Sequence, residues 1–238
     1  MTRARVLDEL ADRIASVSLG RPVRVAIDGR TGSGKTTLAD ELGALLIARG
    51  RSVIHTSIDG FHRPKAERYA RGRTSPEGYY YDARDLDAVT RLLLAPLGPT
   101  GGRRYRTASF DLESDCPIDQ EPSVAEADAI LIVDGTFLQR PELAGGFDVT
   151  IYVATADEIA TARGVARDAE RLGGVDAARE LYAARYRPAV DLYDRLCAPE
   201  SRADAVFHND DVERPRLTVR PGGRLAAVHA PRESLPGT

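Results

Sequence analysis

The chain has 238 residues, 42 % hydrophobic and 29 % charged, a composition that fits a soluble globular protein and excludes a fibrous or disordered one. Its formal net charge of −3 argues against a general nucleic-acid binder, which is usually basic. Cys116 and Cys197 stand alone with no CxxC spacing, so neither a zinc site nor a disulfide scaffold is read, and no apolar run approaches the ~18 residues of a membrane span.

The N-terminal stretch places Val6, Leu10, Ile14 and Val17 at helical spacing with charges between them. It predicts an amphipathic helix over about 3–18, and the missing apolar h-region rules out a signal peptide. The expectation is a cytoplasmic protein. Five short runs rich in β-branched residues follow: VRVAI (23–27), SVIHTSI (52–58), AILIV (129–133), VTIYV (149–153) and AVFH (205–208). Helical patterns separate several of them, as with Leu38, Leu42, Leu45 and Leu46 after the first. Almost wholly apolar strands alternating with helices predict an α/β fold of three layers, with a mostly parallel central sheet covered on both faces. The stretch from about 60 to 123 is rich in Arg, Tyr, Gly and Pro, with one helix over about 86–94, and reads as an insertion beside the sheet rather than a separate domain. RLTVRPGGRLAAV, about 215–228, predicts a terminal hairpin around Gly222-Gly223, and the final PRESLPGT is expected to be loose. The whole of 1–238 is expected to form a single domain.

Between the first run and its helix stand Gly29, Arg30, Thr31, Gly32, Ser33, Gly34, Lys35 and Thr36, followed by Thr37. The eight match GxxxxGK[ST] in the strand–loop–helix context that a P-loop requires. Glycines allow positive φ and let successive N–H groups point inward, and the helix N-terminus favours anions. Lys35 is then placed for the β/γ-phosphates and the Thr36 hydroxyl for Mg²⁺. There is no NKxD guanine motif, HNDD at 208–211 lacking the lysine, and no LSGGQ signature; the chain is also short for a motor ATPase. Small kinases remain as the leading P-loop class.

Asp59 closes the second apolar run in SIDGFHRPK, and ligands of open α/β sheets bind outside the carboxyl ends of strands. A carboxylate there can face the γ-phosphate, either taking a proton from an attacking hydroxyl or holding Mg²⁺ through water. The alternative is a turn or N-cap aspartate. Asp134 closes AILIV in the same way, the Walker B pattern that positions Mg²⁺, or else a strand-end turn.

GRTGSGKTT, IDGFHRP, ILIVDGTFL and ARGVARDAERLGG, in this order, resemble the landmarks of the uridine kinase/phosphoribulokinase/pantothenate kinase group, over about Val23 to Asp210. The resemblance implies a P-loop kinase fold with a helical lid, and transfer of phosphate from ATP, with Mg²⁺, to a hydroxyl of a small metabolite. It makes Asp59 the catalytic base and lets Phe61 and His62 shape the acceptor pocket. It makes about 157–174 the lid. Arg163, Arg167 and Arg171 share one helical face there, where like charges repel until an anion arrives between them, or else form a solvated face neutralised by Asp168 and Glu170; Arg163 and Arg167 are assigned to the transferring phosphoryl group and Arg171 to the nucleotide. Gly173-Gly174 would end that helix.

The acceptor is left open. SPEGYYYDARDL (75–86) matches the uridine kinase pattern loosely, and SFDLESD (109–115) keeps the aromatic–acid pair Phe110-Asp111 but carries no histidine. Tyr79, Tyr80 and Tyr81, read as a strand, would send one or two rings into a pocket, or else simply pack; Tyr80 is the candidate contact. Arg63, Lys65, Arg68, Arg71 and Arg73, with Arg103, Arg104 and Arg106, form either a solvated face or a subsite for an acid or phosphate, and Arg104 is the candidate contact. A nucleoside is the first expectation, with pantothenate or a sugar as alternatives. A sensor that binds ATP without turnover, and a nucleic-acid-dependent NTPase, are the readings from other classes. A small-molecule acceptor is expected, no nucleic acid and no membrane, and a homo-oligomer is left open.

Overall fold

The structure is a computed structural model in which residues 1–226 are described. Helix α1 (Arg3–Ala15) buries Val6, Leu7, Leu10, Ala11 and Ile14, the stripe its spacing requires. Strand β1 (Val23–Gly29) runs into the P-loop and helix α2 (Lys35–Ala48). Strand β2 (Val53–Ser57) ends in a 3₁₀ turn, Ile58–Phe61. The insertion holds helix α3 (Lys65–Arg68), a helical turn at Gly78–Asp82, and helix α4 (Leu86–Val89) continued through Thr90–Leu94. It closes with four two-residue strands, β3 (Arg104–Tyr105), β4 (Phe110–Asp111), β5 (Cys116–Pro117) and β6 (Ser123–Val124). Strands β7 (Ile130–Gly135) and β8 (Val149–Ala154) lead to helices α5 (Asp157–Leu172) and α6 (Val175–Leu181). A turn at Tyr182–Tyr186 joins α6 to α7 (Arg187–Cys197), which precedes the short α8 (Pro199–Arg202) and strands β9 (Ala205–His208) and β10 (Arg216–Val219).

The main sheet has the order β10-β9-β8-β1-β7-β2. Five strands are parallel and β10 joins the edge antiparallel to β9. Alternate residues feed opposite faces. Val25, Ile27, Ile130 and Ile132 enter a core with α1 and α2, while Ala26, Leu131 and Val133 enter a second core with Phe61, Val89, Leu93 and Leu97 from the insertion. The expected three layers are thus helices, sheet, and the insertion with its helices.

Three local expectations are corrected. Tyr79, Tyr80 and Tyr81 lie on a helical turn, not a strand. The C-terminal hairpin is formed by β9 and β10, because the second run after Gly222 makes turns and seats Leu225 in the core instead of pairing with Arg216–Val219. Residues 227–228 of that expected hairpin and the tail 231–238 lie outside the described residues. Helix α1 ends at Ala15, earlier than about 18, although Val17 still packs into the core.

At the edge of the sheet remote from the P-loop, Asp148 accepts bonds from Arg21 (2.6 and 2.8 Å) and from the backbone and side chain of Arg24 (2.9, 3.0 and 3.1 Å). Burial opposes the carboxylate's charge, but these donors outweigh it and hold its pKa well below the usual range. Asp148→Ala is expected to destabilise the fold by about 3–5 kcal/mol, because it strands the buried Arg24 guanidinium. Urea unfolding midpoints measure this, and Arg21→Gln, at the more exposed partner, should cost much less.

Candidate active site

Because β1, β2, β7 and β8 are parallel, their carboxyl ends share one edge of the sheet. The register aligns Ile27 with Asp134 and Asp134 with Ser57. The P-loop, Asp134 and the turn that carries Asp59 therefore meet by construction, and a cleft of about 580 Å³ opens there.

The P-loop backbone needs its glycines. Gly32 has φ +82°, and a Cβ on it would lie 2.1 Å from the Ala160 carbonyl oxygen of α5. Helix α2 starts at Lys35 with no side-chain cap, so its first amides remain donors for an anion. Lys35 is buried and its ammonium donates to the Arg30 carbonyl at 2.8 Å. Burial lowers its pKa, against the pull of Tyr79, Asp28 and Asp134. The Thr36 hydroxyl donates to Asp134 Oδ2 at 2.7 Å, and His55 Nε2 lies 3.1 Å from Asp134 Oδ1. Two further hydroxyls of the loop, Thr31 Oγ1 and Ser33 Oγ, are buried without a partner. Arg30 turns away to an ion pair with Asp157, and Thr37 is exposed on α2.

Asp59 lies on the 3₁₀ turn with its carboxylate open to the cleft, and Arg84 donates to it at 2.6 Å. Burial pushes this carboxyl up, but the charge of Arg84 and its hydrogen bond win and hold the pKa below the ordinary value, so Asp59 is ionised. Gly60 has no positive φ; it is glycine because its backbone lies against Thr107 and Ala108, where a Cβ would sit 3.0 Å from the Thr107 carbonyl. His62 lines the cleft and its Nδ1–H donates to the Asp59 carbonyl at 2.7 Å. Phe61 is fully buried in the second core and positions the turn from behind, not from the cleft wall.

The lid helix α5 ends at Gly173 with φ +91°, as its sequence predicted. Arg167 and Arg171 both line the cleft and both pair with Asp168, which also accepts from Tyr182 at 2.8 Å. Gly164 makes that contact possible, since a Cβ on it would fall 2.2 Å from the Tyr182 hydroxyl. Arg163 departs from the set. Its guanidinium donates to the carbonyls of Asn209 (2.9 Å) and Asp210 (2.7 Å), and Asn209 donates to the Ser33 carbonyl at 2.8 Å. Arg163 thus ties α5 to the loop behind the P-loop rather than facing the cleft.

The acceptor side differs most from expectation. Tyr79, not Tyr80, faces the cleft; Tyr80 packs against Phe137 and Tyr193 with its hydroxyl 3.6 Å from Cys197 Sγ. Arg104 is exposed on the β3–β6 ribbon and Phe110 is buried in β4, both outside the cleft wall. On the acceptor side, Lys65, Arg68, Arg84 and Arg185 reach the cleft. Arg185 stands in the turn after α6 and carries no local sequence signal, and Arg84 lies in SPEGYYYDARDL, where no spacing marks it.

Comparison with known proteins agrees with this geometry. A model of the Phosphoribulokinase / Uridine kinase family matches residues 24–213. The chain belongs to this family. Uridine kinase of Lactobacillus helveticus is 26 % identical over 208 residues, 85 % of this chain and 95 % of the relative. Uridine-cytidine kinase A of Dictyostelium discoideum is 25 % identical over 180 residues, 74 % of this chain but only 34 % of that longer relative. The solved structure of a possible uridine kinase from Bacillus stearothermophilus superposes with a TM-score of 0.68 at 25 % identity, covering 85 % of this chain and 97 % of the other. Membership in the phosphoribulokinase/uridine kinase family makes the chain an ATP-dependent small-molecule kinase. Among the described residues no helix is long and apolar enough to cross a membrane.

His62 gives the cleft a measurable acid limit. Burial first, and then the neighbouring charge of Arg84, lower its pKa from 6.5 to about 4. A histidine held neutral in the fold takes its proton in the unfolded chain first. Its contribution is therefore present above pH 6.5 and is lost as pH falls to about 4. Over that window the wild type should lose about 2–3 kcal/mol more stability than His62→Gln, measured by urea unfolding at each pH.

Proposed function

We propose that the chain transfers the γ-phosphoryl group of ATP, with Mg²⁺, to a hydroxyl of a small metabolite seated between the P-loop and Asp59. One observation carries this reading: the ionised Asp59 opens onto the same cleft as Lys35 and the Thr36–Asp134 pair. The acceptor oxygen forms a bond to Pγ, the bond from Pγ to the β-bridging oxygen breaks, ADP leaves, and the hydroxyl proton passes to Asp59. Phosphoryl transfer states are loose, so Asp59 serves mainly by aligning the hydroxyl and accepting its proton late. That suits a carboxylate kept acidic by Arg84.

Mg²⁺ fits the donor set. Thr36 and Asp134 offer one hydroxyl and one carboxylate 2.7 Å apart, with Asp59 as a further carboxylate at the cleft. Among the described residues there is no cluster of three or more His, Cys, Asp or Glu able to cage an ion. An ion held by one or two side chains, phosphate oxygens and water needs no such cluster. When bound, Mg²⁺ would neutralise charge on the phosphate oxygens. Lys35, Arg167 and Arg171 are the fixed cations of the chain for the same charge.

The relatives named uridine kinase support a nucleoside as acceptor; pantothenate and sugars are the other alcohols to compare. A sensor that binds ATP without turnover is the reading from another class, and Asp59 at the cleft speaks against it. Two variants test the proposal. Asp59→Asn keeps the shape of the side chain but cannot take the proton, and kcat should fall on the order of 10²-fold with Mg²⁺ titrated to saturation. Unchanged kcat makes Asp59 a turn residue, and full rescue by excess Mg²⁺ makes it a metal ligand.

Arg167→Ala is expected to lower kcat more than it weakens ATP binding, since a lid cation meets charge that grows in the transition state. Steady-state kinetics beside ATP titration separate the two effects. A large loss of affinity at constant kcat would leave Arg167 as a ground-state contact.

A further inference from the structure

The acceptor side of the cleft holds more buried cationic donors than its carboxylates use. Arg84 is 8 % exposed, and among the described residues only one of its nitrogens is bonded, to Asp59, while its Nε and Nη1 find no partner. Arg68 is 7 % exposed; one terminal nitrogen meets Asp115 at 2.6 Å and its Nε has no partner. Arg185 is 4 % exposed, and among the described residues no carboxylate lies within ion-pairing distance of it. It donates to the Arg73 carbonyl and lies over the rings of Tyr69 and Tyr79, 4.9 and 5.2 Å from their centroids. Arg84 lies over the same Tyr79 ring at 5.1 Å.

Burying a guanidinium without a counter-ion is costly, and burial does lower the pKa of Arg185. Four cations, Lys65, Arg68, Arg84 and Arg185, line this side against three acids, Asp59, Glu113 and Asp115. An anion placed beside Tyr79 would meet the unused donors of Arg84 and the uncompensated charge of Arg185 together.

We propose that the alcohol phosphorylated by this chain carries an anionic group, a carboxylate or a phosphomonoester, which is seated on Arg84 and Arg185 with Arg68 beside them. This rests on the cleft being the acceptor site of a kinase. It separates the chain from relatives whose names specify a neutral nucleoside.

The test has a binding arm independent of turnover. With the P-loop saturated by Mg²⁺ and a non-hydrolysable ATP analogue, inorganic phosphate and, separately, acetate are titrated calorimetrically. Saturable binding of at least one is expected, and the stronger of the two identifies the kind of anion. Arg185→Gln and Arg84→Gln should each weaken it about tenfold or more, the scale of one lost charge-assisted hydrogen bond. Arg185→Gln serves if Arg84→Gln fails to fold. No saturable binding of either anion, or binding unchanged in Arg185→Gln, overturns the proposal. In the kinetic arm, glycerol 3-phosphate, glycerate and glycerol are compared as acceptors, then uridine. An anionic alcohol should exceed its neutral counterpart about tenfold in kcat/KM, and efficient turnover of uridine unaffected by Arg185→Gln also overturns it. Anion binding without phosphate transfer to any alcohol would leave the subsite standing and defeat the kinase reading instead.

Discussion

The parallel register of β1 and β2 on either side of β7 is the constraint on which the rest depends. It sets Ile27 and Ser57 level with Asp134, and so delivers three chain reversals to one edge of the sheet. The P-loop leaves β1, the Asp59 turn leaves β2, and β7 ends in the aspartate that accepts from Thr36. A one-residue slip in a strand would invert its two faces and exchange its contributions to the two cores. The same alternation that fills those cores therefore fixes the catalytic geometry, and no loop has to be long to achieve it.

Charge in the cleft is held in pairs that a substrate can exchange. Asp168 gathers Arg167 and Arg171 on the lid, Asp59 holds Arg84, and Asp115 holds Arg68. Each pair keeps a cation ordered at the cleft, at less cost than an isolated charge in the same position. Tyr182 and Gly164 extend this to the lid: the tyrosine fixes Asp168, and only the absence of a Cβ lets it come that close to α5. Arg185 stands outside these pairs, a buried guanidinium with aromatic faces and a carbonyl for company.

Aromatic packing decides which side chains of the insertion reach the cleft. Phe137 is wedged against Tyr79, Tyr80 and Tyr193, with centroids 5.4, 5.2 and 5.1 Å away. Its φ of +68° is unusual for a bulky residue, and it directs the chain that follows β7 towards α7. This cluster buries Tyr80 and leaves Tyr79 at the wall, where Arg84 and Arg185 rest on it. The helical turn that carries the three tyrosines makes the choice, because neighbouring side chains on it diverge by about 100° rather than alternating.

The sequence by itself determined the P-loop, the parallel sheet and the helix α5 with its glycine stop, because each rests on local spacing: glycines where φ is positive, apolar runs of strand length, helical periodicity; the kinase family followed from the resemblance of four ordered motifs. It could not tell apart two identical strings. Ile27-Asp28-Gly29 closes β1 and Ile58-Asp59-Gly60 forms the turn just after β2, yet Asp28 is wholly buried, accepting from Tyr193 (2.5 Å), Gln139 (3.2 Å) and the Gly29 amide (2.8 Å), and burial raises its pKa. Asp59 opens onto the cleft and is held ionised by Arg84. The difference lies in partners far along the chain, and so does the role of Arg185, the burial of Phe61 and Tyr80, and the turning of Arg163 to Asn209 and Asp210. Spacing specifies backbone shape within a few residues. Which side chains face a common space is decided by packing between distant segments, and only the tertiary structure supplies that.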